Sequence, residues 1–163
     1  MFGRRLPSFK TLVLWGLGGL LTLFLAIQAI PYGRDHSNPP TRQEPPWDSQ
    51  QTRTMVADAC FDCHSNRTSW PWYSNVAPVS WLVQRDVDGG REKLNFSEWD
   101  RPQPEAGEAA ESVQEGEMPP RQYRLLQSSA RLSAAERQAL VQGLEATFGR
   151  EDGEGEEHEE EEE

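Results

Sequence analysis

Residues 60–64 of the chain read Cys-Phe-Asp-Cys-His, and this stretch decides both the predicted fold and the predicted chemistry. Two thiols three positions apart can each form a thioether with a vinyl group of haem, and the histidine after the second thiol can bind the iron. The motif therefore predicts one covalently attached haem c. Cys60 and Cys63 would be the attachment sites, and His64 would be the proximal iron ligand.

Three other interpretations of the motif compete with haem attachment. A thioredoxin-like redox pair requires a βαβ setting, which the surrounding sequence lacks. A structural zinc site requires four ligands, but the chain has only two cysteines and, besides His64, only His36 and His158. We expect His36 to be a solvated linker residue and His158 to be incidental in a mobile tail. A chance match is disfavoured in an exported chain, since c-type haem is attached outside the cytoplasm.

An apolar run over residues 12–30 precedes the motif, and its only strongly polar member is Gln28. Its length suits one helical crossing of a bilayer. Three basic residues lie within residues 1–11, so the positive-inside rule places these in the cytoplasm and the rest outside. A cleaved signal peptide is the alternative, but the apolar region of a signal peptide is usually shorter, and no clear small-x-small cleavage site follows this run. We expect a single-pass anchor in the cell membrane, with the haem domain on the periplasmic side.

The rest of the chain divides by composition. Residues 31–48 are rich in proline and predict an extended linker that lifts the domain off the membrane. Residues 49–149 form the predicted haem-binding domain. Residues 150–163 form an acidic tail, predicted to be disordered, which accounts for most of the formal net charge of −11. No basic patch stands out, so a nucleic-acid partner is not expected.

Helical periodicity and capping signals predict helices in this domain, and no strand pattern separates them. The last helix is the clearest, because Ser133 and Glu136 have capping-box spacing and Gly149 can end it. We therefore predict a mainly α fold, a small mono-haem cytochrome c-like domain with long loops, preceded by one transmembrane helix. The other helices are predicted to begin near Asp48, at Pro78, where Gly89-Gly90 would end the helix, and at Glu105, where Gly116 would end it.

A second iron ligand is predicted in the loop Gly116-Glu117-Met118-Pro119-Pro120. The prolines fix the backbone, so the loop can hold the Met118 thioether against the iron. The alternatives are an open or water-bound iron, with Met118 filling a gap in the core. Met55 is expected to pack beside the haem, and Lys93 is a weaker candidate ligand.

Aromatic and basic side chains follow the motif. The aromatic residues are expected to pack in the core, which in a domain of this size is also the wall of the haem pocket. The arginines could pair with haem propionates but are expected to be surface residues. These side chains are Trp70, Trp72, Tyr73 and Trp81, and Arg67, Arg85 and Arg91.

The run CFDCHSNRTSWPWYSNVAPVSWLVQRDVDGGREKLNFSEW (Cys60–Trp99) resembles a bacterial haem-binding domain family typified by CxxCHSNxTxWPWYSxxAPVSW. GEMPPRQYRLL (Gly116–Leu126) and ARLSAAER (Ala130–Arg137) are similar to later blocks of that family. The resemblance covers about residues 50–148. It implies an exported, often membrane-anchored domain with haem on the residues of the CxxCH motif.

The resemblance also bears on the second iron ligand. Met118 matches the methionine of the family's MPP block. A histidine often follows the family's segment that reads Tyr-Arg-Leu-Leu here (Tyr123–Leu126), and in this chain that position is Gln127. A histidine ligand at that position is therefore ruled out in this chain, which strengthens the case for Met118.

Electron transfer is the function that these features favour, because His/Met-ligated haem has no open coordination site and cycles between Fe(II) and Fe(III). The first alternative is a haem-based ligand sensor or a peroxidase-like enzyme with an open distal site. The second is a haem that only stabilises an interaction module. No catalytic constellation beyond the haem is evident, so an enzyme is less favoured. Redox partner proteins are expected, but the sequence does not identify them.

Overall fold

The computed structural model describes residues 8–149 of the 163-residue chain, so most of the basic N-terminus and the acidic tail with His158 lie outside the described residues. Within the described range the secondary structure is helical without strands, and the mainly α prediction is confirmed. Two short 3₁₀ turns, Trp72–Asn75 and Ser128–Ala130, join the helices. The helices are α1 (Phe9–Ile27), α2 (Gln50–Ala59), α3 (Phe61–His64), α4 (Val79–Lys93), α5 (Ala109–Glu115), α6 (Arg121–Leu126) and α7 (Ala134–Phe148).

The helix α1 contains 19 residues and is apolar along its length. None of its side chains is buried in the structure. A helix of this length and composition can cross a membrane, although a signal sequence near an N-terminus has the same properties. Ser8 caps its start by accepting from the Thr11 N–H.

The chain forms two compact units. The first unit consists of the segment that ends at Ser37 together with Trp70–Asp86. The second consists of Asn38–Ser69 and the residues from Val87 onward. The helix α4 thus contributes its first half to one unit and its second half to the other, and the Cys-Phe-Asp-Cys-His motif belongs to the second unit.

The core of the second unit lies between α2, α5 and α7. Gly143 of α7 allows the closest approach, because a Cβ atom there would overlap the Thr52 side chain of α2. The rings of Phe96 and Phe148 stack with centroids 6.1 Å apart, and Trp99 stacks on Phe148 at 5.0 Å. The buried aliphatic and aromatic core residues are Val56, Phe61, Leu94, Phe96, Ala110, Val113, Leu140, Val141 and Leu144.

The helix ends agree with most of the capping signals. Ser133 and Glu136 form the predicted capping box of α7. Gly116 ends α5 in the left-handed conformation with a φ of 80°. The prediction that Gly89-Gly90 ends α4 is wrong, because the helix runs on to Lys93. The α6 helix was not predicted, and it has only six residues.

Candidate functional site

The motif forms one continuous turn at the junction of two helices. Cys60 is both the C-cap of α2 and the N-cap of α3, and its N–H donates to the Val56 carbonyl over 2.8 Å. The His64 N–H donates back to the Cys60 carbonyl over 2.9 Å. Neither cysteine forms a disulfide, and both residues are half-buried. The structure therefore presents Cys60, Cys63 and His64 together on a turn that we call the attachment turn (residues 60–69).

The imidazole of His64 is oriented by the backbone. Its Nδ1 lies 3.1 Å from the Leu94 carbonyl oxygen, which can only accept, so Nδ1 carries the proton. The Phe96 N–H donates to the His64 carbonyl over 2.8 Å and fixes the same two segments together. Burial lowers the pKa of His64, against the opposing effect of the bond to Leu94. The ring is therefore neutral at neutral pH, and Nε2 keeps a lone pair for a metal.

A buried network of polar side chains holds the segment that carries Leu94. The Asn95 amide donates to the Asn66 side-chain oxygen over 2.9 Å, and the Asn95 oxygen accepts from the Ser97 N–H at 2.9 Å. The Ser97 hydroxyl in turn accepts from the Asn66 N–H over 3.0 Å. All three residues are buried. A satisfied network of this kind is rigid and specific, and it fixes the carbonyl that His64 contacts.

The carboxylate of Asp62, between the two cysteines, joins the attachment turn to α6. One oxygen accepts from the Ser69 N–H over 2.8 Å, and the other accepts from the Tyr123 hydroxyl over 2.7 Å. Burial and the Asp62 carboxylate both raise the pKa of Tyr123, so its phenol stays protonated and donates. Neither Asp62 nor Tyr123 was identified as a site residue from the sequence. No local sequence pattern indicates a contact between two residues 61 positions apart.

The second half of α4 closes over the attachment turn. A Cβ atom on Gly90 would lie 2.5 Å from the Cys63 carbonyl oxygen, so glycine permits this approach. The Arg91 guanidinium donates to the Ser65 carbonyl and the Thr68 hydroxyl, each over 2.9 Å. The expectation that Arg91 is a plain surface residue is therefore wrong. It is half-buried and satisfies a carbonyl of the turn.

The chemistry of the donors fits haem attachment better than the alternatives. Burial, followed by the neighbouring Cys63, raises the pKa of Cys60 to about 12. A catalytic redox pair works through a thiolate and has a lowered thiol pKa, which is the opposite. Within residues 8–149, no three His, Cys, Asp or Glu side chains are grouped to hold one metal ion. What the turn offers is the protonated thiol of Cys60, a second thiol at Cys63 and one oriented imidazole, which fit the donor set of a c-type haem.

Met118 lies in the loop between α5 and α6, so the prediction of a loop at this position is confirmed. Its N–H donates to the Ser112 carbonyl over 3.0 Å, and its side chain is 37% exposed. The structure does not bring it into the attachment turn itself. Its loop is linked to that turn through α6, whose Tyr123 bonds to Asp62. The same helix exposes Leu125 and Leu126, an apolar surface that a bound group can cover.

The aromatic residues after the motif belong to the first unit, and two expectations about this region are wrong. Trp72 does not pack in a core, since it is 79% exposed. His36 is not a solvated linker residue, since it is half-buried and its ring stacks on Trp70 with centroids 4.5 Å apart. Its Nε2 also lies 3.1 Å from the Ser74 carbonyl oxygen. These contacts tie the chain after α1 to residues 70–74.

Comparison with known families matches residues 22–146 to a haem-binding domain. The match begins inside α1 and ends in α7, so it includes the attachment turn, the polar network and the Met118 loop. No curated protein and no solved structure is similar enough to count as a match.

Proposed function

The chain belongs to the haem-binding domain family, and from that premise we propose that it is a single-electron carrier. It would hold one haem c by thioethers to Cys60 and Cys63, with His64 and Met118 as the iron ligands. It would be anchored by α1, with the haem domain on the periplasmic side. When bound there, the haem supplies an Fe(II)/Fe(III) couple, and methionine ligation raises its potential.

The observation that carries the proposal is the bond between His64 Nδ1 and the Leu94 carbonyl. Histidines that bind metals almost always donate the other ring N–H to a carbonyl, carboxylate or water, which fixes the ring and increases its basicity. Here the accepting carbonyl is itself held by the buried network of Asn66, Asn95 and Ser97.

The thiols and the loop have separate tasks in this proposal. The protonated state of Cys60 suits addition of the thiol across a vinyl group, in which S–C and C–H bonds replace S–H and one C–C π bond. The MPP loop presents Met118 with little backbone freedom. The bond from Tyr123 to Asp62 ties α6, which follows that loop, to the attachment turn. Leu125 and Leu126 of α6 are exposed apolar side chains that a bound group can cover.

The position of the anchor supports electron transfer at a membrane surface. The helix α1 is long and apolar enough to span a bilayer, and the basic residues before it favour an N-terminus in the cytoplasm. A tethered carrier meets membrane-bound donors and acceptors at a high effective concentration.

Carbon monoxide binding to the reduced full-length protein tests the proposal. We expect a six-coordinate spectrum that changes little with carbon monoxide, because His64 and Met118 would both hold the iron and would leave no open site for the gas. The Met118→Ala variant should bind carbon monoxide readily. Glu117→Ala, at the exposed position before Met118 in the same loop, should behave as the unsubstituted protein.

Two results would contradict the proposal in different ways. Rapid carbon monoxide binding by the unsubstituted protein would show an open distal site and favour a sensor or a peroxidase-like enzyme. A Met118→Ala spectrum identical to that of the unsubstituted protein would remove Met118 as a ligand while leaving the carrier function open to another ligand.

A further inference from the structure

The one strongly polar residue at the end of α1 is fully engaged by hydrogen bonds. Gln28 is the C-cap of α1, and its amide donates to the Ala77 carbonyl while its oxygen accepts from the Ala77 N–H, each over 3.0 Å. The same amide donates to the Phe24 carbonyl over 3.1 Å. Both N–H groups of the amide are thereby used. Gln28 clamps the backbone of Ala77 to the end of the helix.

Further contacts bind the residues after α1 to the same stretch of chain, which we call the helix-end segment (residues 70–82). Gly33 is buried with a φ of 80°, and a Cβ atom there would lie 2.6 Å from the Ser80 carbonyl oxygen. His36 stacks on Trp70 of the segment. The Arg34 guanidinium donates to the Gln28 carbonyl and satisfies the helix end. Composition predicted that residues 31–48 form an extended linker. Instead, Gly33 and His36 pack on the helix-end segment, and Arg34 bonds to the end of α1.

The helix-end segment exposes apolar side chains on either side of the clamp. Trp72 is 79% exposed and Leu82 is 57% exposed, and Val79 lies one helical turn before Leu82 on the same face of α4. Tyr32, between α1 and Gly33, is also exposed. Scattered apolar residues on a surface need no explanation, but these share one unit with an apolar helix that has no buried side chains.

The length of α1 sets the depth at which the segment lies. Its 19 residues rise about 28 Å, close to the roughly 30 Å of hydrocarbon in a bilayer. Gln28 then falls at the edge of the hydrocarbon, where its amide would be costly to bury without partners. Ala77 is bonded to Gln28, and Val79 is only two residues further, at most about 7 Å away. The segment is thus kept within reach of the headgroup layer.

We propose that the helix-end segment is a membrane-contacting surface, with Trp72 and Leu82 seated in the lipid headgroup layer beside the point where α1 leaves the bilayer. The inference rests on the proposed anchoring by α1. Tryptophan is enriched in this layer, since its ring is amphipathic. The Gln28 clamp makes the segment part of the anchor, so the first unit is fixed at the membrane surface and does not float on a flexible tether.

Fluorine NMR of the full-length haem-loaded protein tests this surface. The protein is labelled with fluorotryptophan and placed in phosphatidylcholine nanodiscs in which some headgroups carry a gadolinium chelate. A matched sample carries lanthanum, so the difference in relaxation reports distance to the headgroups and cancels the paramagnetism of the protein. We expect the Trp72 resonance to relax several times faster with gadolinium.

Two substitutions sharpen the test. Gln28→Ala releases the clamp and should reduce the gadolinium effect on Trp72. Gln122→Ala, an exposed glutamine on α6, should leave it unchanged. Leu82→Asn removes an exposed contact without touching the clamp and should also reduce the effect, which guards against misfolding of the Gln28 variant.

Trp15 on α1 separates the two ways in which the idea can fail. If Trp15 responds to gadolinium and Trp72 does not, the anchor stands and the membrane-contacting surface is refuted. If neither responds, the anchoring itself is refuted, and the surface with it. If a second protein copy covers Trp72 instead, gadolinium will add little to the Trp72 relaxation. The relaxation in the lanthanum sample will then depend on the number of copies per nanodisc, which also overturns the proposal.

Discussion

The attachment turn and the helix-end segment are neighbours in sequence, yet the first is distinguished by buried polar side chains and the second by exposed apolar ones. The attachment turn buries polar side chains, namely Asn66 together with its partner Asn95, and satisfies them with hydrogen bonds. The helix-end segment exposes apolar ones, above all Trp72. In water, polar side chains are usually exposed and large apolar side chains are usually buried, so both regions show the reverse of the usual arrangement. Such reversals mark sites where something other than water is met, here a cofactor and a lipid surface in our account.

The largest expected effect is on the buried network. Asn95→Ala leaves the Asn66 oxygen and the Ser97 N–H buried without partners, at about 1–3 kcal/mol for each group. We expect a loss of about 3 kcal/mol in the free energy of unfolding, measured by urea denaturation. Asn75→Ala in the helix-end segment removes one exposed bond to the Trp72 carbonyl and should cost less than about 0.5 kcal/mol. If the two substitutions lowered the free energy of unfolding equally, the buried network would not be more important for stability than the exposed bond.

Adjacent glycines of α4 provide a second, smaller contrast. Gly90→Ala places a methyl group against the Cys63 carbonyl and should destabilise the protein by about 1–3 kcal/mol through overpacking. Gly89→Ala meets no atom within 4 Å and should stabilise the helix by up to about 1 kcal/mol. Thermal unfolding of the two variants shows whether each substitution lowers or raises the stability of the protein. A stabilising Gly90→Ala would mean that α4 does not pack on the attachment turn.

The smallest effect is a pH dependence of the network. The bond from Asn66, then those from Arg101 and the charge of Arg42, lower the pKa of Glu98 from its usual 4.5. A carboxylate with a lowered folded-state pKa contributes its full stability above the unfolded value and loses it as the pH falls through the folded value. We expect unfolding free energy to decline below about pH 4.5.

The substitution Glu98→Gln isolates that contribution. Its stability curve should be flatter than that of the unsubstituted protein below pH 4.5, and the two curves should run parallel above it. Glu117→Gln, at an exposed loop position, should reproduce the unsubstituted curve. Parallel curves for Glu98→Gln at all pH values would show that the carboxylate does not support Asn66.

Features that depend on neighbouring residues were predictable from the sequence. The capping box of Ser133 and the glycine stop at Gly116 are local, and the structure confirms both. The haem-attachment motif is also local, since it consists of five consecutive residues. The domain boundaries and the roles of Cys60, Cys63, His64 and Met118 in haem binding stay predictions.

Features that depend on distant residues were not predictable. Gly90 was interpreted as a helix stop, but it lies inside α4. Glycine is needed there because the Cys63 backbone leaves no room for a Cβ atom. The bonds of Asn66 to Asn95 and of Asp62 to Tyr123 join residues that no periodicity connects. The exposure of Trp72 is also a tertiary property, because an indole in a short 3₁₀ turn is equally consistent with a core.

Mass spectrometry of the tryptic peptide that spans residues 54–67 tests the central claim most directly. Cleavage after Arg53 and Arg67 releases both cysteines and His64 on one peptide. For protein matured in a periplasm, we predict that this peptide carries the mass of one haem, and that Cys60→Ala and Cys63→Ala together abolish it. An unmodified peptide from protein that still shows a haem spectrum would contradict covalent attachment at this turn.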